Sequence, residues 1–423
     1  MRYSKAPVNL LIFALVKFAS CQGQDRIKGW EADLDFYAQQ VKQQHYVYRE
    51  KILPAAFNEQ SERLRKQIPA ISDQQILLEF ERLAATLGDG HTYVLPWGAT
   101  RVAARGLPFR FYLFSDGLFI IDAPEGFRDF IGSRVIKFGD VTAEDAVSQI
   151  GNYISKDNEM GATWIGPVFL SFQGALEAIG ACTEKDRINL TLANQKTGKS
   201  TQWFSFVPIP PMHGIPKLVP PRTTKIPPPL YLSNVEKAYW VESIKTKQGT
   251  QLYLQFNQVI DDPTESLAEF SKRLADSILI IHPKLIVVDV RHNNGGNADL
   301  LNPLLAVLSG FRKNNPSAKL VFITGRNTFS ACQIFISRAD TLVRPIFAGE
   351  RSSSKPNFVG EENNLMLPYS GAICSISNRY HETIPGDKRE WIEVEMPVAL
   401  SSKSYFANVD PVLDKVLSID VLK

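Results

Sequence analysis

Two runs of this chain, KLIVVDV at residues 284–290 and KLVFIT at 319–324, are apolar almost without interruption and rich in branched side chains. A strand with one wet face alternates polar and apolar residues; a strand apolar at successive positions has protein on both faces. Helical patterns surround these runs: one around Glu265–Ile281, then ADLLNPLLAVLSG at 298–310 and SACQIFISRAD at 330–340. QLYLQF at 251–256 precedes them and RPIFAGE at 344–350 follows, both strand-like. Strands alternating with helices specify an α/β domain with a mostly parallel sheet, here over residues 230–423. In such sheets ligands bind beyond the carboxyl ends of the strands.

The 423 residues are too many for one ordinary core. Residues 25–99 read as a helical region. Ser72 and Gln75 form a capping box, Ile76, Phe80, Leu83, Ala84 and Leu87 follow at helical spacing, and Gly88 is the stop. Residues 100–206 read as a β-rich middle domain of short strands and turns, as in LPFRFYLFSDGLFIIDAP and INLTLANQKTGKSTQWFSF. Within it, IGSRVIKFGDVTAEDAVSQI reads as a strand, a tight turn and a helix. Residues 207–229 hold nine prolines, which excludes regular structure and leaves a linker or an extended wall.

The first 24 residues read as a signal peptide: basic Arg2 and Lys5, an apolar run from Val8 to Val16, then small residues. The run is too short to span a bilayer. The junction FASC resembles a bacterial lipoprotein signal, in which Cys21 would be lipidated and would tie the mature protein to a membrane. Phe18 and Lys17 depart from that pattern, and an uncleaved amphipathic N-terminus is the alternative. The expected location is the periplasm or cell envelope. Beyond Cys21 only Cys182, Cys332 and Cys374 remain, an odd number without metal-type spacing, so neither a disulfide framework nor a zinc site is expected. A net charge of +3 leaves no nucleic-acid footprint.

Two motifs fall at the carboxyl ends of neighbouring strands: DVRHNNGGN at 289–297 and TGRNTFSA at 324–331. Ser330 starts a helix, where serine is a favoured cap; it also stands where a nucleophile would gain from the helix dipole. Paired glycines let backbone amides approach a ligand. An amide of Gly295 or Gly296, converging with that of Ala331, would make an oxyanion hole.

LIVVDVRHNNGGN, VFITGRNTFSA, FAGE and LGDGHTYV together resemble the tail-specific, or C-terminal processing, serine peptidases, including relatives of the tricorn core protease. The resemblance implies a ClpP–crotonase-like catalytic core, Ser330 as nucleophile, protein or peptide substrates and no cofactor. It leaves two bases open. In the processing proteases a lysine follows the serine, and GERSSSKP offers Lys355, which must lose its proton near pH 7 to act. In the tricorn type a histidine from the upstream helical region serves, and GDGHT offers His91. His292, inside the glycine motif, is the nearest rival; His45, His213, His282 and His381 read as structural. Glu390 is the candidate for the tricorn type's late glutamate, though its surroundings match poorly. The stretch 131–150 resembles the end of a PDZ module, which captures substrate C-termini. A non-catalytic ligand-binding or envelope-scaffold protein on the same fold is the alternative function.

Overall fold

The computed structural model describes residues 9–49, 51–182, 184–194, 198–210, 212, 215–222 and 226–419, with side chains from residue 24 onward. The first helix, Asn9–Gln44, runs across the expected end of the leader. The leader's first eight residues, the Cys21 side chain, Pro211 and His213 lie outside the described residues. Among the described residues no helix is long and apolar enough to cross a membrane.

Two further helices, Ala55–Gln67 and Asp73–Ala85, complete the N-terminal region. The capping box forms as read: Ser72 Oγ accepts from the Gln75 amide at 3.2 Å, and Gln75 Oε1 accepts from the Ser72 amide at 2.9 Å. Trp30, Leu34, Tyr37, Phe57, Leu64, Phe80 and Leu83 meet in one core. A hairpin from far along the chain, Phe358–Met366 with Ile373–His381, closes that core with Cys374 and Ile376. The short strand Tyr93–Val94 pairs with the same hairpin, Tyr93 opposite Ser375. Asp33, fully buried, accepts the amides of Tyr369 at 2.6 Å and Ser370 at 2.9 Å at the hairpin turn.

The middle region carries an antiparallel sheet in the order Arg110–Phe114, Gly117–Asp122, Arg134–Phe138, Arg187–Asn194, Gly198–Ser205. The strand–turn–helix at 131–150 appears as Arg134–Phe138 and the helix Ala143–Ile150. Two helices that the sequence pattern does not mark, Glu159–Phe169 and Gln173–Ala178, lie between the strands Arg134–Phe138 and Arg187–Asn194. Gly161, Gly166 and Pro167 blur the helical pattern of the first, and it is packing that holds it: Phe169, Leu170 and Leu176 are buried against Val135, Phe138 and Leu190. The expectation that 207–229 holds no regular structure fails at its start, where Val207–Pro208 pairs with Arg105–Gly106; the described residues beyond it are held by side chains of other segments. Arg110 donates to the carbonyls of Pro216 and Lys217, Tyr405 Oη to Val219 O at 2.9 Å, and Asn408 Nδ2 to Ile226 O at 2.7 Å.

The last region holds the α/β sheet. Its order is Tyr239–Thr246, Gly249–Phe256, Leu285–Asp289, Lys319–Thr324, Ile346–Gly349, Met396–Pro397; the first pair is antiparallel and the rest parallel. Every residue of Leu285–Asp289 is buried, as its composition demands. Ile286 and Val288 face a core with Phe270, Leu304 and Phe335 from three helices, Leu267–Ile281, Asn302–Asn314 and Ala331–Leu342. Leu285 and Val287 face Trp240, Tyr253 and the C-terminal helix Pro411–Leu417. Arg291 ties the carboxyl end of the sheet together, donating at 2.6 Å to both Asp289 and Asp410.

Replacing Asp33 by alanine would leave a buried amide, Ser370, and a half-buried one, Tyr369, without acceptors, at about 1–3 kcal/mol for a buried group. The expected result is a loss of about 3 kcal/mol in denaturant unfolding. An unchanged midpoint would dismiss Asp33 as the anchor between the first helix and the hairpin.

Candidate active site

Between the strand Lys319–Thr324 and the helix Ala331–Leu342 the chain makes a tight turn. Thr328 pins it: its hydroxyl donates to Val290 O at 3.0 Å and accepts the Gly325 amide at 3.1 Å. Ser330 follows with φ 53° and ψ −126°, a left-handed conformation costing about 1–3 kcal/mol in a residue with a Cβ. Its side chain makes no capping hydrogen bond. The most ordinary role for a serine at a helix start is therefore not the one it plays.

The glycine loop lies directly against it. A Cβ on Gly295 (φ 111°) would fall 2.7 Å from Ser330 Cβ and 2.9 Å from the Ala331 nitrogen; one on Gly296 (φ 134°) would fall 2.1 Å from Val259 O. Both positions need glycine for contact as well as conformation. Asn293 organises the loop: its Oδ1 accepts the Gly295 amide at 3.0 Å, and its carbonyl accepts the Phe329 amide at 3.1 Å. Of the two glycine amides expected as oxyanion donors, that of Gly295 is thus committed. Those of Gly296 and Ala331 donate no hydrogen bond among the described residues.

His91 reaches the same place from the helical region. Its turn is held by Asp89, whose Oδ1 accepts the amides of His91 at 3.0 Å and Thr92 at 2.7 Å. Ser377 Oγ donates to the same oxygen at 2.7 Å, and His45 Nε2 lies 2.8 Å from Oδ2. Burial opposes the charge on Asp89, but His45 and the Ser377 hydroxyl outweigh it and hold the carboxyl below its ordinary range. The His91 ring is buried between Phe329 and Phe358, with centroids 4.4 and 5.2 Å away and planes within 19° and 9° of parallel. Neither ring nitrogen has a hydrogen-bond partner of ordinary geometry. Burial pushes the imidazole down to about 4, against a smaller upward pull from Asp89.

Ser330, Ala331, Gly296 and His91 all line one cavity of about 570 Å³. Trp97 from the end of the N-terminal region and Trp164, Ile165 and Phe169 from the middle region supply apolar walls, and Glu361, Glu362 and His381 come from the hairpin. His381, read as structural, is brought here by strand register alone, opposite Phe358, and no local motif marks it. Lys355 does not line the cavity. Its ammonium sits 3.1 Å from Glu390, and the two side chains are 35% and 52% exposed. His292 turns away too: its Nε2 lies 2.8 Å from Tyr231 O, and the ring stacks on Tyr231. Among the described residues no group of three or more His, Cys, Asp or Glu is placed to hold a metal ion.

The fold is similar to that of solved structures of mature CPAF. One, complexed with lactacystin, gives a TM-score of 0.64 at 11% identity over 93% of this chain and 97% of that one. Another gives 0.63 at 12% identity with the same coverage. No family model and no curated protein matches the chain.

A buried imidazole resists protonation, so the His91 ring resonances should stay flat from pH 8 to 5 and titrate near pH 4. Since the folded state binds this proton less well than the unfolded chain, the term stabilises the fold fully above about pH 6.5 and is lost as pH falls toward about 4. NMR of ring-labelled protein decides; a midpoint near 6.5 would contradict the enclosed slot.

Proposed function

We propose that this protein is a serine-type peptidase acting on peptide bonds of protein or peptide substrates, with Ser330 as nucleophile and His91 as base. One observation carries the reading. A serine that makes no capping bond and a buried histidine line a single cavity, beside two backbone amides that donate no hydrogen bond among the described residues.

The chemistry follows from these groups. Ser330 Oγ attacks the carbonyl carbon of the scissile bond while His91 takes the hydroxyl proton. The carbonyl oxygen, now negative, sits between the amides of Gly296 and Ala331, each such donor worth about 3 kcal/mol to the transition state. His91 returns the proton to the leaving amine, and water repeats the sequence on the acyl-enzyme. An imidazole at about 4 is a weak base in the empty site. The developing oxyanion and the buried Asp89 carboxylate both favour the imidazolium once substrate fills the cavity. Lys355 pairs with Glu390 at 3.1 Å and does not line the cavity that holds Ser330. We also propose export to the cell envelope, on the strength of the leader-like N-terminus, with Cys21 as the lipid acceptor.

Ser330→Ala should abolish hydrolysis of unfolded protein while leaving the melting temperature within a few degrees. His91→Ala should lower kcat at least about 100-fold, the scale of lost general acid–base help, and Lys355→Ala should stay within about threefold of wild type. The reverse pattern, a dead Lys355→Ala beside an active His91→Ala, would reinstate the serine–lysine mechanism. A fluorophosphonate probe should label Ser330, whereas no labelling would point to a pure binder.

For export, intact-mass spectrometry of protein from its native host should find a chain beginning at Cys21 with an added lipid. A retained Met1 would exclude it.

A further inference from the structure

The histidine turn and the serine loop belong to distant parts of the chain, yet a third segment touches both. Asp157 and Asn158, from the middle region, are 7% and 5% exposed. Asp157 Oδ1 accepts the amide of Gly90, next to His91, at 2.8 Å. Asn158 Nδ2 donates to Ser352 O at 3.1 Å and to Glu390 O at 2.8 Å. The segment of Ser352 is in turn bound to the serine turn: the Ser353 amide donates to Thr328 O at 3.1 Å, and the Ser330 amide to Ser354 Oγ at 3.4 Å. Asn158 is itself fixed as the cap of the helix Glu159–Phe169, accepting the Met160 amide at 3.0 Å. The Ser155 amide just before donates to the buried Glu81 at 3.1 Å.

We propose that Asp157 and Asn158 are positioning residues, a clamp through which the middle region sets the distance between His91 and Ser330. The catalytic consequence rests on the reading of those two residues as base and nucleophile; the clamp itself rests on the hydrogen bonds. A misplacement of about 1 Å between reacting groups costs on the order of 100-fold in rate, and this pair is the direct polar link between the Gly90 amide and the Ser352–Ser354 segment.

A second feature sets Asp157 apart from an ordinary structural carboxylate. Its Oδ2 is buried and makes no hydrogen bond of ordinary geometry among the described residues. Burial, then the neighbouring Asp89 carboxylate, push the group up to about 7, while the Gly90 amide, the Ser354 hydroxyl and Lys355 pull the other way. The clamp is thus neutral below about pH 7 and charged above it, facing Asp89. The folded state holds this proton more tightly than the unfolded chain, so the stability it confers is full below about pH 4 and is lost as pH rises through about 7.

Three full-length variants test the clamp: Asp157→Asn, Asp157→Ala and Asn158→Ala. In Asp157→Ala and Asn158→Ala, kcat should fall at least about 10-fold with KM within about twofold, a positioning loss rather than a binding loss. Asp157→Asn keeps the acceptor for Gly90 and should restore kcat, abolish any change in activity centred near pH 7, and melt higher than wild type at pH 8, the gap closing toward pH 4. Hydrogen exchange reads the coupling without catalysis: protection at 88–92 and at 352–355 should fall together in Asp157→Ala and in Asn158→Ala. Joint loss of protection in a wild type that hydrolyses nothing would uphold the clamp and sink the peptidase reading. Exchange unmoved at either segment, or full kcat in Asn158→Ala with an active wild type, would overturn the clamp. If Asp157→Ala does not fold, Asn158→Ala and the pH dependence of Asp157→Asn decide.

Discussion

Asp89 carries a carboxylate into the interior of the protein, and four donors converge on it: the amides of His91 and Thr92, the Ser377 hydroxyl and the ring of His45. A buried charge survives only where such partners outweigh the loss of water. Meeting them fixes three things at once. The turn after the helix Asp73–Ala85 takes a single shape, the hairpin carrying Ser377 docks on the helical region, and the strand Tyr93–Val94 finds its register beside Ile373–His381. With its amide turned inward to Asp89, His91 projects its ring into the slot between Phe329 and Phe358.

The other half of the site depends on the sheet. Parallel strands bring the loops after Leu285–Asp289 and Lys319–Thr324 out on one edge, and Asn293 joins them by bonding both Gly295 and Phe329. Ser330 is strained by this arrangement, and the bonds of Thr328 and Asn293 hold it there. Strain at one residue, glycines that admit no Cβ and a fully buried imidazole each lower stability locally. They occur together around one cavity, where a polar group left free is available to a substrate.

The α/β sheet was legible because its signal is local and strong: KLIVVDV and KLVFIT can only be covered on both faces. The Ser72–Gln75 box and the short strands within 107–124 and 188–206 were legible for the same reason. The helix Glu159–Phe169 was not, because two glycines and Pro167 hide its period and burial alone sustains it. At the site, Ser330, the paired glycines and His91 stood out by their motifs. The sequence could not say that Asn293 would claim the Gly295 amide, that Lys355 would turn toward Glu390, or that His381, Asp157 and Asn158 would gather nearby. The first depends on the exact shape of a tight loop and the others on contacts between residues tens of positions or more apart, and neither Asp157 nor Asn158 belongs to any recognisable pattern.

A crystal structure of the protein after reaction with a peptidyl aldehyde tests the account most directly. The account expects a single adduct on Ser330 Oγ, its oxygen about 2.7–3.1 Å from the amides of Gly296 and Ala331. It expects a ring nitrogen of His91 within about 3.2 Å of the serine oxygen. An adduct elsewhere, or Lys355 Nζ standing where His91 should be, would contradict it.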